Sequence, residues 1–400
     1  MKKFAIIFFI LLYLTTNTFS MSLFSSAQKG IGLREYITSV RGMGMGGTGL
    51  ALVNQSELNA YNFSLWRYIQ NTRMSALMRY DVNYTIITNE NLYSSTGNFA
   101  GIQLAIPLIR NRWVFGFSIT PYTIVDFGYN LNLSVGTKPY VQGNFFKGNI
   151  SKVQFSSAWS VNRNIGVAAS FDYYIGTILD RYTLDFDSPE FYDSYSDVNY
   201  LFKGFGLGLG FDVRLYKSLV LGGFVDFKPT IHLTKTTYSP ITFSELRTEK
   251  DANFPINCGM GLSYMIWRNW TLSSDVIYQD WSNITNLGAF NSNLLEDWYQ
   301  WSAGIEHNHI RGRKESVFNK VDTRMGFSIG NIGYKFNGST VKQYAVHLGL
   351  GVPFNKDLAR LDFAVIAGIR GDRKFNSVEE KFVRFLFSIS AGELWFQRLR

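Results

Sequence analysis

The chain has 400 residues, with 34 Phe, 23 Tyr, 9 Trp, 36 Gly, 8 Pro, one Cys and a formal charge of +9. That aromatic content excludes a disordered chain, the single Cys258 excludes a disulfide scaffold, and the lack of an apolar run of about 20 residues past the N-terminus excludes a helical membrane bundle. At roughly 150 residues per domain, length alone would suggest two or three soluble domains, but the patterning below points elsewhere.

Met1, Lys2 and Lys3 are followed by an unbroken apolar stretch over residues 4–14 and a small, polar stretch over 15–20. This reads as a secretory signal peptide, too short for a spanning helix. Cleavage is expected after Ser20, or as late as Ala27. Export makes a nucleic-acid partner improbable, and no nucleic-acid motif is present.

Residues 28–70 do not alternate. They contain Arg41, Gly42, Met43, Gly44, Met45, Gly46, Gly47, Thr48 and Gly49, then Asn59, Ala60, Tyr61 and Asn62. Gly44, Gly46 and Gly49 match the dinucleotide fingerprint in spacing only. No buried strand precedes them and no βαβ unit surrounds them, so no nucleotide site is expected.

From residue 72 onward the chain alternates with period two. Phe205, Leu207, Leu209, Phe211, Val213 and Leu215 face one way; Gly204, Gly206, Gly208, Gly210, Asp212 and Arg214 face the other. Such segments recur at 72–88, 95–109, 113–131, 140–161, 164–185, 198–216, 219–235, 253–267, 270–283, 297–309, 319–331, 341–353, 358–371 and 379–396. They exceed the usual strand length of roughly 5–6 residues. An apolar face backed by a narrow, Gly-rich polar face suits a membrane barrel, which must close because hydrocarbon cannot satisfy a free edge. The expectation is an all-β fold: a signal over 1–20, an N-terminal hatch or plug over 28–70 and a 14-stranded antiparallel transmembrane β-barrel over 71–397.

Short links at 110–112, 162–163, 217–218, 268–269 and 354–357 alternate with longer ones at 186–197, 236–252, 284–296, 332–340 and 372–378. The short links are periplasmic in bacterial barrels. They carry Arg110, Arg112, Arg163, Lys217, Arg268 and Lys356; a longer periplasmic link adds Arg311, Arg313 and Lys314. Such a rim can meet anionic headgroups of outer-membrane lipids. Trp113, Trp267, Trp270 and Trp395 sit at strand ends, as an interfacial girdle requires.

The inward positions carry Arg79, Asp81, Asp172, Asp212, Arg214, Asp226, Lys228, Asp275, Glu306, Asp322, Arg324, Arg360, Asp362, Arg370 and Arg384. Mixed signs suggest a salt-bridged, plugged interior. Asp212 and Arg214 are expected near Asp226 and Lys228, and Arg41 is a candidate for tying the hatch to the wall. Glu306, His307 and His309 look like a metal cluster, but on a strand the imidazoles face away from Glu306. No catalytic constellation, metal or cofactor is expected. Pro121 falls inside the third strand, where a missing ladder donor calls for a bulge or break.

Arg41, Gly44, Met45, Gly46, Gly47, Ala51 and Leu52, followed by Asn59 and Asn62, resemble the N-terminal region of FadL-type outer-membrane proteins. That superfamily includes fatty-acid and hydrocarbon transporters and the PorV-like barrels of a secretion system. Arg324, Met325, Gly326 and Phe327, the Gly349–Pro353 stretch, and Gly392, Glu393, Leu394, Trp395 and Phe396 extend the resemblance over nearly the whole mature chain. It departs where Phe63, Ser64 and Leu65 follow Asn62 in place of an Asn-Pro-Ala-like run, and where the chain ends beyond Phe396 in Gln397, Arg398, Leu399 and Arg400.

The resemblance implies a fourteen-stranded barrel delivered by the barrel assembly machinery to the outer membrane of a Gram-negative-type bacterium. Its hatch would include Arg41, Gly42, Gly44, Gly46, Gly47, Gly49, Asn59 and Asn62. It also implies a lateral gate at Thr120, Pro121 and Tyr122. The first functional reading is uptake of a hydrophobic small-molecule ligand of fatty-acid or hydrocarbon class. The alternative is a PorV-like scaffold for secreted or surface proteins. A transporter needs a continuous apolar pocket; a scaffold does not. The oligomeric state stays open.

Overall fold

The computed structural model describes residues 22–26, 31–87, 91–187, 190–239, 244–267, 269–282, 284, 294–309, 321–354 and 358–393. The expected signal peptide and Ala27 lie outside these residues, as do Arg268, Arg311, Arg313, Lys314, Lys356 and Trp395.

Alternation builds the barrel. In β6 (Ser194–Tyr216), Phe205, Leu207 and Leu209 point outward and are 50% or more exposed, while Gly204, Gly208 and Asp212 are buried against the lumen. The same logic forms β1 (Thr72–Ile87), β2 (Asn91–Ile109), β3 (Trp113–Val135), β4 (Lys138–Ser160) and β5 (Ile165–Phe186) ahead of it. After it come β7 (Leu219–Asp226 and Thr230–Ser239), β8 (Ser244–Asn253 and Asn257–Trp267), β9 (Trp270–Gln279) and β10 (Trp298–His307). The last four are β11 (Asp322–Phe336), β12 (Ser339–Phe354), β13 (Ala359–Asp372) and β14 (Val378–Glu393). Neighbours pair antiparallel, and β14 pairs with β1 from Val378 opposite Ile87 to Glu393 opposite Thr72. The fourteen strands therefore close.

The long links read over 186–197, 236–252, 332–340 and 372–378 are shorter than expected, whereas the one expected over 284–296 spans 280–297. Most of the link expected over 236–252 is strand, and β3 and β4 meet at a tight turn of Gly136 and Thr137. Beyond the bilayer both faces of a strand meet water, so apolar alternation fades although the ladder continues. β7 and β8 are each broken once, at Pro229 and Pro255, which cannot donate to the ladder. The sequence reading, tuned to alternation, missed both breaks.

Strand lengths are unequal. β3, β4 and β6 have 23 residues each, whereas β9 and β10 have 10. At about 3.3 Å per residue and a tilt of roughly 40°, the long strands climb about 58 Å against a hydrocarbon core of about 30 Å. One wall thus stands clear of the membrane at the long-link end.

The N-terminal segment occupies the lumen. It comprises α1 (Leu23–Ser26), a two-residue strand (Leu33–Arg34), α2 (Val40–Gly44) and a 3-10 helix (Phe63–Tyr68). Ser39 starts α2 by accepting from Gly42 N at 3.0 Å, and Asn62 starts the 3-10 helix by accepting from Ser64 N at 3.2 Å. Val40, Met45, Leu50 and Ile69 are fully buried.

Candidate functional site

The candidate site is the lumen, and its short-turn end is built of charge. Arg41 of α2 holds Glu306 of β10 with Nε at 2.9 and 3.1 Å and Nη2 at 2.5 Å. Arg324 of β11 reaches the same carboxylate at 2.7 Å and Asp362 of β13 at 2.7 Å. Arg360 closes the circuit on Asp322 at 2.5 Å and Asp362 at 2.6 Å. All six groups are buried. Burial alone would lower the pKa of Arg41, but Glu306 outweighs it and the guanidinium is held charged above its ordinary range.

A second tie joins Arg67 of the 3-10 helix to Asp212 at 2.7 Å, with the Tyr68 hydroxyl donating to the same carboxylate at 3.0 Å. Burial first, and then the Asp212 charge, push Tyr68 up to about 12. A third tie joins Glu35 to Arg79 and, at 3.4 Å, to Arg384; Asp81 bridges the two arginines at 2.9 and 2.7 Å.

The Gly-rich stretch seats α2 and the turn after it on the wall. Gly46, at φ +85°, packs so that a Cβ would lie 2.6 Å from Ala303 O and Phe327 O; a side chain there would be both strained and clashing. Gly49 N and Leu50 N donate to Asp275 Oδ2 at 2.6 and 2.9 Å. Asn59 donates to Gly49 O at 2.8 Å, and Asn62 donates to Leu50 O at 2.7 Å and Phe211 O at 2.9 Å. Arg41, Gly42, Gly44, Gly46, Gly47, Gly49, Asn59 and Asn62 therefore lie in one luminal body.

The expected luminal charges divide. Arg79, Asp81 and Arg384 meet, and so do Arg360 and Asp362. The expected group of Asp212, Arg214, Asp226 and Lys228 does not form. The β6–β7 register sets Asp226 opposite Gly208 and Asp212 opposite Gly222, four residues apart along the luminal face of each strand. Asp226 instead takes Lys152 at 2.8 Å, while Arg214 lies over Tyr68 at 5.3 Å. Lys228 falls in the Pro229 break and is exposed, so it is outside the network. The sequence reading missed Glu35, Arg67 and Lys152. The first two lie in the non-alternating segment, where period-two logic assigns no face.

The long-link end is filled with rings. Tyr122 stacks on Phe254 at 5.5 Å and meets Tyr174 edge-on at 5.2 Å; Phe254 also contacts Phe202 and Trp281. Gln279 Nε2 donates to the Tyr122 hydroxyl at 2.5 Å, and Arg34 lies over Tyr122 at 5.3 Å and over Trp298 at 4.7 Å. The luminal spaces described here are small: about 60 Å³ beside Arg34, Gln300 and His347, and about 10 Å³ beside Tyr61, Tyr122 and Lys152.

Thr120, Pro121 and Tyr122 sit where the wall divides. The β2–β3 ladder ends at Ile102 opposite Ile119, and the β3–β4 register shifts between Pro121 and Thr123. Outside this point lies a cleft of about 400 Å³ lined by Phe99, Ile119, Thr120, Pro121, Ile124 and Lys147, among others. Thr120 and Pro121 also line the 10 Å³ luminal space, so they border both cleft and lumen.

The model of the BamG family matches residues 1–400. The chain belongs to the BamG family. No curated protein matches this BamG-family sequence. Among solved structures it is similar to the CymD monoaromatic hydrocarbon channel at a TM-score of 0.58 and 14% identity, over 92% of this chain and 99% of that one. It is similar to the Ralstonia pickettii toluene transporter TbuX at 0.61 and 15%, over 89% and 98%. A Pseudomonas aeruginosa FadL homologue gives 0.61 and 12%, over 90% and 99%. The fold is that of FadL-type outer-membrane barrels. The first two of these solved structures are named as a channel and a transporter.

Proposed function

We propose that this BamG-family chain is a docking scaffold of the outer membrane: a closed barrel that holds other proteins and does not conduct. The family name points to the barrel assembly machinery as the partner class. The observation that carries this reading is the packing of the lumen by the described residues, with an ion-paired hatch at one end and a ring cluster at the other. Burying so many charges is costly unless each is paired and fixed, which favours a hatch that stays in place. The outward apolar rows would face lipid, and the alternating strands and N-terminal signal pattern agree with export to that membrane.

Depletion of the chain in its host tests this reading. Levels of other folded outer-membrane barrels should fall while uptake of a labelled alkane or fatty acid is unchanged. Unchanged barrel levels with lost uptake would contradict it.

Uptake of hydrophobic small molecules is the second reading, favoured by the cleft against Pro121 and by the hydrocarbon and toluene transport in the names of the solved relatives. In this reading Thr120, Pro121 and Tyr122 form a lateral gate. Replacing Pro121 by Ala would then change uptake of a labelled fatty acid; unchanged uptake removes the gate.

A further inference from the structure

Among the described residues, the outer half of β3 has one full-length neighbour, β4. Above Ile119 it no longer pairs with β2, and from Thr123 to Val135 its ladder runs to β4 without a shift. The turn that closes this hairpin has Gly136 at φ +62°, the conformation a two-residue hairpin turn needs at its first position, so Val135 and Lys138 form a hydrogen-bonded pair. Odd-numbered residues of β3 then direct their backbone N–H and C=O groups to β4, and even-numbered residues direct theirs to the open side. Pro139 agrees with this parity: opposite Ser134, it needs no N–H toward β3.

The open side is used near the lumen. Leu33 pairs with Ile124, Glu35 N donates to Tyr122 O at 3.0 Å, and Ser25 Oγ donates to Asp126 O at 3.3 Å. The acceptors are all even-numbered. The N-terminal segment has thus already added itself to this edge as a strand. Farther out, Asn130, Asn132 and Ser134 turn the same groups outward with no neighbouring strand among the described residues.

Every residue from 129 to 135 is exposed. At about 3.3 Å per residue and a tilt of roughly 40°, Tyr129 lies some 40 Å above Trp113, beyond a hydrocarbon core of about 30 Å. Tyr129, Leu131, Leu133 and Val135 alternate with Asn130, Asn132 and Ser134. Exposed edges are normally guarded by Lys, Pro, a bulge or a covering element. This stretch carries no charge, no Pro and no register shift.

We infer that residues 129–135 of β3 accept an extended strand of a second protein on the outer side of the membrane, by backbone pairing to Asn130, Asn132 and Ser134. The partner strand is uncharged and alternates apolar with polar residues, matching the rows that Tyr129, Leu131, Leu133 and Val135 present. Main-chain bonds supply affinity and the alternate side chains supply selectivity in this mode of recognition. The inference rests on the scaffold reading and places its contact.

The test is photo-crosslinking in intact cells from photoreactive side chains placed at Leu131 and Leu133, with Tyr192 as an outer control. Adducts to another protein from Leu131 and Leu133 are expected. Asn132→Pro removes an N–H that faces away from β4, so the barrel should keep its heat-modifiable folded form while adduct yield falls roughly tenfold. If Asn132→Pro does not fold, Leu133→Lys places a charge on the same edge and should lower the yield from Leu131. Undiminished yield in the folded variant, or adducts only between copies of this chain, would overturn the inference. Adducts from Tyr192 alone would overturn it and leave the scaffold reading standing. No adduct at any position would overturn both.

Discussion

At the short-turn end, Arg41, Glu306, Arg324, Asp322, Arg360 and Asp362 fill the lumen with paired charge; at the long-link end, Tyr122, Tyr174, Phe202, Phe254 and Trp281 fill it with rings. Charge and rings close the barrel differently. A buried ion network is directional, so it fixes where the hatch sits, and removing one member strands the others. A ring cluster is less directional and excludes water by packing, so truncation leaves a cavity that neighbours partly close. The hatch is thus positioned by the first region and sealed in by the second.

Substitutions can separate the two contributions. Glu306→Gln should have the largest effect, because it leaves Arg41 and Arg324 facing each other without their shared anion. A loss of roughly 4 kcal/mol is expected, read as a lower denaturant midpoint and faster proteolysis within residues 31–69 of the folded barrel. Tyr122→Ala should cost about 3 kcal/mol through the cavity it creates. It should also enlarge the luminal space beside Thr120 and Pro121, seen as detergent or alkane density inside the purified barrel. Asn62→Ala removes the cap of the 3-10 helix and the bonds to Leu50 O and Phe211 O, for about 1–2 kcal/mol in the same unfolding assay. Lys228→Ala should change stability by no more than about 0.5 kcal/mol, since its side chain is exposed in the Pro229 break.

Much of the barrel was legible because a lipid-facing strand must alternate. The rows of β6 and β13 could be read directly, and with them the number of strands. The extent of β3, β4, β7 and β8 was not, because strands beyond the bilayer lose that constraint. In the lumen, Arg360 with Asp362 and Arg79 with Asp81 were visible as same-face neighbours on a single strand. The turn at 217–218 was legible, and closing there sets Asp212 opposite Gly222 and Asp226 opposite Gly208, so shared face without register misplaced the two. Arg67 and Glu35 were hidden in a segment with no period. The Gly-rich stretch around Gly46 stood out, but only the backbone approach to Ala303 and Phe327 explains it.

The central claim is that the hatch is a fixed part of the barrel. Hydrogen exchange of the backbone amides of residues 33–69, in intact protein held in lipid nanodiscs, measures it directly. Protection lasting hours, unchanged by added alkane or fatty acid, is the result expected of a closed scaffold. Rapid exchange in this segment, or protection lost when the hydrophobic ligand is added, would contradict it.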